Sequence, residues 1–260
     1  MGEARHEWST LRLDVTGPVA VVTLARPDKL NALSQVLVAE LTDVVDQMTS
    51  DPKVRALVLA GEGRMFSAGA DVDEFREAFG AGTVDPVATE AESRLGSRLT
   101  DALASPELVT VAAIHGAAIG GAAALVAACD LRVMAEGARI VVPELVMGFP
   151  LAWGGLPRLV DELGPSVVRD LVLTCRPLGA DEALARGFAC RVVAADALLA
   201  SARELAELAA SRPVFGTTAA LRRIAAVAAG EEIDDDAATL ARAATDPEAM
   251  AAARRYLDSL

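Results

Sequence analysis

From Leu108 to Cys129 the chain carries an almost wholly apolar run, long enough to span a bilayer and broken only by a central group of His115, Gly116, Gly120 and Gly121. That central group decides what the run can be. A β-branched half, Val109-Thr110-Val111, precedes it, and an alanine-rich half follows it and closes at Cys129-Asp130. The change of composition across paired glycines reads as buried strand, glycine turn and buried helix, and not as a membrane segment. A chain built around such a unit is expected to be α/β.

The flanking sequence agrees. Leu11–Val15 and Val19–Leu24 are strand-like runs parted by Gly17-Pro18, which predicts an opening hairpin. Ser34 is placed to cap a helix whose stripe is Leu37, Leu41, Val44, Val45 and Met48, ending near Asp51-Pro52. Ala56–Ala60 then predicts a strand, so strand, helix and strand form a βαβ unit with a right-handed crossover. Residues 80–86 are small and turn-forming, and are expected to be a mobile lid. After Asp196 strands give way to alanine-rich helices, expected over Ala197–Ser211, Val214–Ala228 and Asp235–Ala243, with a last helix capped at Asp246-Pro247. The shift divides the chain into a core, 1–195, and a helical subdomain, 196–260.

The formal charge of −13 argues against a nucleic-acid partner, since a binding face needs clustered cations. Lys29 and Lys53 are the only lysines, so a polyanionic ligand would have to rely on a few local cations and backbone N–H groups. Three cysteines, Cys129, Cys175 and Cys190, with no metal-ligand spacing and a polar amino-terminal stretch, predict reduced thiols, no bound metal and a cytoplasmic location. Cys129 is expected to pack as a small hydrophobe.

Two segments carry a specific resemblance: Phe66-Ser67-Ala68-Gly69-Ala70-Asp71 and Ile114-His115-Gly116-Ala117-Ala118-Ile119-Gly120-Gly121. Together they resemble the oxyanion-hole signature of the crotonase superfamily, which includes the enoyl-CoA hydratases and isomerases. Arg26-Pro27-Asp28-Lys29-Leu30-Asn31-Ala32, Cys129-Asp130-Leu131-Arg132, Pro143-Glu144 and Gly154-Gly155-x-x-Arg158-Leu159 also fall at the family's spacings. The resemblance implies a crotonase-like ββα spiral core with a C-terminal helical trimerisation subdomain, and hence a homotrimer or homohexamer. It implies an acyl-CoA thioester substrate, with coenzyme A entering as part of that substrate and no permanently bound cofactor. The amides of Ala70 and Gly121 would then form the oxyanion hole, and Lys29, Leu30, Ala68, Asp71, Val72 and Trp153 the CoA- and substrate-binding positions. A preorganised N–H aimed at the developing enolate oxygen contributes about 3–4 kcal/mol per donor.

One residue departs from the hydratase pattern. Hydratases resembling this chain use two carboxylates, one three residues after the oxyanion glycine and one in the Pro-Glu pair. Here Glu144 is present, but the other position is Ala124, which cannot titrate. Moving a double bond from the 3,4 to the 2,3 position needs only one base, which removes a proton from C2 and returns one to C4. Similar isomerases keep a single glutamate, so Glu144 is the expected catalytic residue of an isomerase. Phe149, Leu151 and Trp153 would supply the apolar surroundings that raise its pKa.

The other polar residues have plainer readings. His115 is expected to hydrogen-bond within the glycine turn, Asp130 to be structural, and Asp71 to fix its loop. Glu90, Glu92 and Ser93 lie on a helix that would overhang the site, and are expected to be solvated helix-face residues, the alternative being that one of them replaces the missing acid. Asp73 stands where several hydratases carry a phosphate-binding lysine, leaving Lys29, Arg222 or Arg223 to compensate. The competing functions are a hydratase or thioester hydrolase using one carboxylate, and a non-catalytic acyl-CoA binder.

Overall fold

The structure, a computed structural model, describes residues 8–80, 85–233 and 235–260. Its elements recur as strand, short strand or bridge, and helix. β1 (Leu11–Thr16) and β2 (Val19–Leu24) form the expected hairpin, with Thr16 opposite Val19, and lead into α1 (Gln35–Ser50). The Ser34 hydroxyl accepts the Leu37 N–H and starts that helix. β3 (Ala56–Gly61) lies parallel to β2, and after an irregular stretch the chain enters α2 (Val72–Gly80) and α3 (Pro86–Leu103), the latter capped by Asp85. Of the expected lid, residues 81–84 lie outside the described residues.

The apolar run resolves into β4 (Val109–Ile114) and α4 (Gly121–Ala128), the strand and helix its composition predicts, but the residues between the glycines form a further short strand, β5 (Ala117–Ile119), because they pair with a later segment, Arg139–Val141. The next repeat is β6 (Leu131–Ala135), β7 (Arg139–Val141) and, after a loop, α5 (Gly155–Leu163). There follow α6 (Pro165–Thr174), β8 (Leu178–Gly179), α7 (Ala180–Ala185) and β9 (Arg191–Val193). The carboxyl-terminal helices are α8 (Leu198–Ala210), α9 (Val214–Ala228), α10 (Asp236–Ala243) and α11 (Pro247–Asp258). This is the mixed α/β crotonase-like spiral with terminal helices.

The main sheet runs β1-β2-β3-β4-β6-β9, parallel from β2 onward. β3 and β4 are buried almost throughout, which is why they read as unbroken apolar runs, whereas edge strand β1 carries Arg12 and Asp14 outward. A small sheet, β5-β7-β8, stands beside it. α8 lays Leu198, Ala202, Ala206 and Ala210 against β2, β3, β4 and β6. In contrast, α9, α10 and α11 bury no residue and leave Ile224, Val227, Leu240 and Tyr256 exposed. Among the described residues no helix is long and apolar enough to cross a membrane.

Because β2, β3, β4 and β6 are parallel, the segments that follow them leave the sheet at one edge. Open α/β sheets place their ligand sites at that carboxyl-terminal edge.

Candidate active site

The segment after β2 is fastened to the one after β3 by a single buried amide side chain. Asn31 Nδ2 donates to the carbonyls of Glu62 (2.8 Å), Met65 (3.0 Å) and Phe66 (3.1 Å), while its Oδ1 accepts the Arg26 N–H. Asn31 has φ +53°, a left-handed conformation that asparagine tolerates better than most residues. Arg26 adds a second tie, donating from one guanidinium nitrogen to the Ala32 carbonyl at 2.6 Å and to Asp71 at 2.9 Å. Burial alone would raise the Asp71 carboxyl, but the Arg26 guanidinium and the amides of Asp73 and Glu74 outweigh it and hold it below its usual range. Asp71 thus fixes the loop, and it also lines the cavity beside it.

The same loop is stitched to the segment after β4. Phe66 N–H donates to His115, Ser67 N–H to Ala117 and Ile119 N–H to Ser67, at 2.9–3.1 Å. Gly69, at φ +83°, comes so close to the Ile119 carbonyl that a side chain there would meet it directly. This stitching brings Ala70 and Gly121 to one cavity of about 270 Å³. Among the described residues neither the Ala70 nor the Gly121 N–H has a protein acceptor. Gly121 opens α4, so its free N–H also carries the positive end of the helix dipole.

Glu144 enters the cavity from a single 3₁₀ turn after Pro143, held by the Met147 and Phe149 N–H groups that both donate to the Glu144 carbonyl. Its Oε1 would lie 2.6 Å from a Cβ on Gly120, which sets the carboxylate beside the Gly121 amide. Gly120 has φ +59°, so only glycine meets both the backbone and the space requirement. Oε2 is buried without a hydrogen-bond partner. Burial therefore raises the Glu144 carboxyl above its usual range, opposed only by its own backbone N–H.

Ala124, three residues beyond Gly121, is fully buried, and its Cβ would be 2.7 Å from a Cβ on Gly155. Ala124 and Gly155 thus pack closely, and position 124 brings no titratable group to the cavity. The other lining carboxylates are already engaged. Asp71 is held by Arg26, the Glu74 carboxylate accepts the Gln35 N–H, and Glu92 accepts Gln35 Nε2 at 2.7 Å.

The expected binding positions divide. Asp71 and Trp153 line the cavity, as do Glu92 and Ser93 of the overhanging helix, whereas Lys29, Leu30, Ala68, Val72 and Glu90 do not. The Ala68 N–H donates to the Leu30 carbonyl, so both act in the loop frame. Lys29 is ion-paired with Asp73 at 2.7 Å, which sets its charge against the aspartate that replaces the expected lysine. Arg222 pairs with Glu107 and Arg223 with Asp236. Glu107 precedes β4, and the strand's six residues span about 20 Å, so Arg222 belongs to the far edge of the sheet. Leu151 lines the cavity near Glu144, but Phe149 does not and packs edge-on against Phe75 instead, ring centres 6.0 Å apart.

His115 Nε2 lies 3.0 Å from the Gly63 carbonyl, the hydrogen-bonded turn histidine expected. Asp130 accepts both the N–H and the hydroxyl of Thr110, tying the end of α4 to β4. Burial pushes the Cys129 thiol up to about 12, an inert packing group. Asn31, central to the loop frame, carries no role in the sequence reading beyond its place in the Arg-Pro-x-x-x-Asn-Ala stretch. Gln35, which engages two lining carboxylates, has no sequence signal at all. Among the described residues no three His, Cys, Asp or Glu side chains are grouped so as to hold a metal ion.

Comparison with known proteins identifies the family. The family model described as enoyl-CoA hydratase/isomerase matches residues 14–241. A short-chain-enoyl-CoA hydratase of Clostridium acetobutylicum is 33% identical over 201 residues, covering 77% of this chain and 75% of that protein. The crystal structure of an enoyl-CoA hydratase from Bacillus anthracis superposes with a TM-score of 0.77 at 30% identity, over 84% of this chain and 83% of that one. DspI of Pseudomonas aeruginosa, 22% identical, shares the fold with a TM-score of 0.90 over 99% of this chain and 98% of its own. Matched by the family model over residues 14–241 and by a relative 33% identical over three quarters of both chains, this chain is a member of the enoyl-CoA hydratase/isomerase family of acyl-CoA enzymes.

Proposed function

We propose that this chain is a 3-to-2-enoyl-CoA isomerase working through one glutamate. The observation that carries the reading is Glu144 Oε2, buried without a partner in a cavity that the Ala70 and Gly121 amides, which have no protein acceptor, also reach, with a non-titratable Ala124 packed against Gly155. The thioester oxygen accepts the Ala70 and Gly121 N–H groups. Glu144 takes a proton from C2, and the electron pair moves through the dienolate onto that oxygen. The protonated Glu144 then returns a proton to C4 as the double bond closes between C2 and C3. No water enters the sequence, so no second carboxylate is needed. A general base has to be ionised yet avid for a proton, which a half-buried carboxylate with a raised pKa provides.

The test uses matched chain lengths. Isomerisation of 3-enoyl-CoA, followed by absorbance of the conjugated thioester, is expected to exceed hydration of 2-enoyl-CoA by at least about 100-fold, the lower range of what one positioned acid-base group contributes. Faster hydration would make the protein a one-carboxylate hydratase, the activity named for the Clostridium acetobutylicum and Bacillus anthracis relatives. Turnover of neither would point to an acyl-CoA binder.

We also propose assembly into a homotrimer or homohexamer, supported by the apolar residues that α9, α10 and α11 leave uncovered. Light scattering at micromolar concentration should give a multiple of three times 26.9 kDa. A monomer mass would overturn it.

A further inference from the structure

Trp153 is held in a way that its place in the sequence does not explain. Its φ is +59°, a left-handed conformation that is strained for a bulky residue. The Thr100 hydroxyl secures it, donating to the Trp153 carbonyl at 2.8 Å. The indole is wedged between two helices at positions where each carries glycine. A Cβ on Gly96 of α3 would lie only 2.0 Å from the indole Cε2, and a Cβ on Gly121 of α4 would lie 2.9 Å from Cζ3. Strain kept at a functional cavity points to a role there.

We propose that Trp153 is the inner wall that sets which acyl chains this site accepts, limiting them to short and medium lengths. The proposal rests on reading the cavity as an acyl-thioester site, though not on the reaction performed there. Two features bound a chain that outgrows the cavity. Inward, between α3 and α4, the indole fills the space. Outward, the rim is a polar strap in which Glu74 accepts the Gln35 N–H and Gln35 Nε2 donates to Glu92. An alkyl tail passing that strap would strip water from two carboxylates without replacing it. A protein cavity of about 150 Å³ holds a six-carbon ring, so the cavity of about 270 Å³ takes about ten carbon-sized groups, or an acyl chain of about eight carbons once the thioester carbonyl is seated.

The test is the affinity of saturated acyl-CoA esters from four to sixteen carbons, measured by calorimetry on the full chain, with turnover of the matching 3-enoyl-CoA esters read separately. In the wild type, affinity should rise about fourfold per methylene and level off near eight carbons. In Trp153→Ala the break should move to about twelve carbons, because the space between α3 and α4 opens. In Gly96→Ala the added methyl drives the indole into the cavity, and the break should move to about six. If Trp153→Ala fails to fold, Trp153→Phe replaces it, with a smaller shift in the same direction. A break that stays at the wild-type length in these variants overturns the wall. A shifted break without turnover of any enoyl-CoA keeps the wall and discards the isomerase, whereas turnover with an unshifted break does the reverse.

Discussion

Glu144→Gln is expected to lower the kcat of isomerisation by about 10²–10⁴-fold while leaving the affinity for a saturated acyl-CoA nearly unchanged. The amide keeps the side chain's shape beside Gly120 but cannot accept the C2 proton. Wild-type activity should depend on pH in a matching way. Glu144 works ionised, so kcat/KM is lost on acidification, and the midpoint of that limb should lie above the ordinary glutamate value because burial raises the carboxyl. The same residue makes a stability prediction of definite sign. With its pKa raised on folding, the native state holds the proton to higher pH than the unfolded chain does, so stability falls as pH rises through the folded-state pKa. Glu144→Gln should therefore melt above the wild type at neutral pH, and the gap should close once the solution is acid enough to protonate the carboxyl in both states. Retention of turnover in the glutamine variant would remove Glu144 from the mechanism. An equal melting temperature at all pH values would contradict its desolvated setting.

Gly121→Pro should lower kcat by about 10²–10³-fold, the effect of deleting one oxyanion donor. The fold is expected to survive better than the activity. Gly121 is the first residue of α4, a position where helices accept proline because its N–H has no intrahelical acceptor. The steric cost falls on Trp153, whose ring would lie 2.9 Å from the new Cβ. Gly121→Ala separates the two effects, since it adds the same Cβ and keeps the N–H. A clear excess of loss in the proline variant, measured as kcat on one substrate, assigns the difference to the donor. Wild-type turnover in Gly121→Pro would end the oxyanion assignment.

The sequence by itself determined the parts of this molecule that local chemistry dictates. The composition change across Gly116 and Gly120-Gly121 fixed a strand before them and a helix after them, because β-branched residues and alanine favour different backbones and glycine readily adopts the positive φ found at Gly116 and Gly120. Ser34 and Asp246 marked helix starts, since their side chains satisfy amides that the first turn leaves open. The motif spacing named Ala70, Gly121 and Glu144, and the alanine at 124 raised the question of one carboxylate or two. Only the tertiary structure decided what surrounds those residues. That Lys29 is paired with Asp73, that Glu74 and Glu92 are engaged by Gln35, and that Phe149 faces Phe75 are contacts between distant segments. The strained Trp153 between Gly96 and Gly121 is another, joining positions on separate helices that have no pattern in common along the chain. Periodicity and capping act over a few neighbouring residues. Burial, ion pairing and the raised pKa of Glu144 depend on which segments the sheet's parallel strands deliver to the same edge, and that is settled only when the whole chain packs.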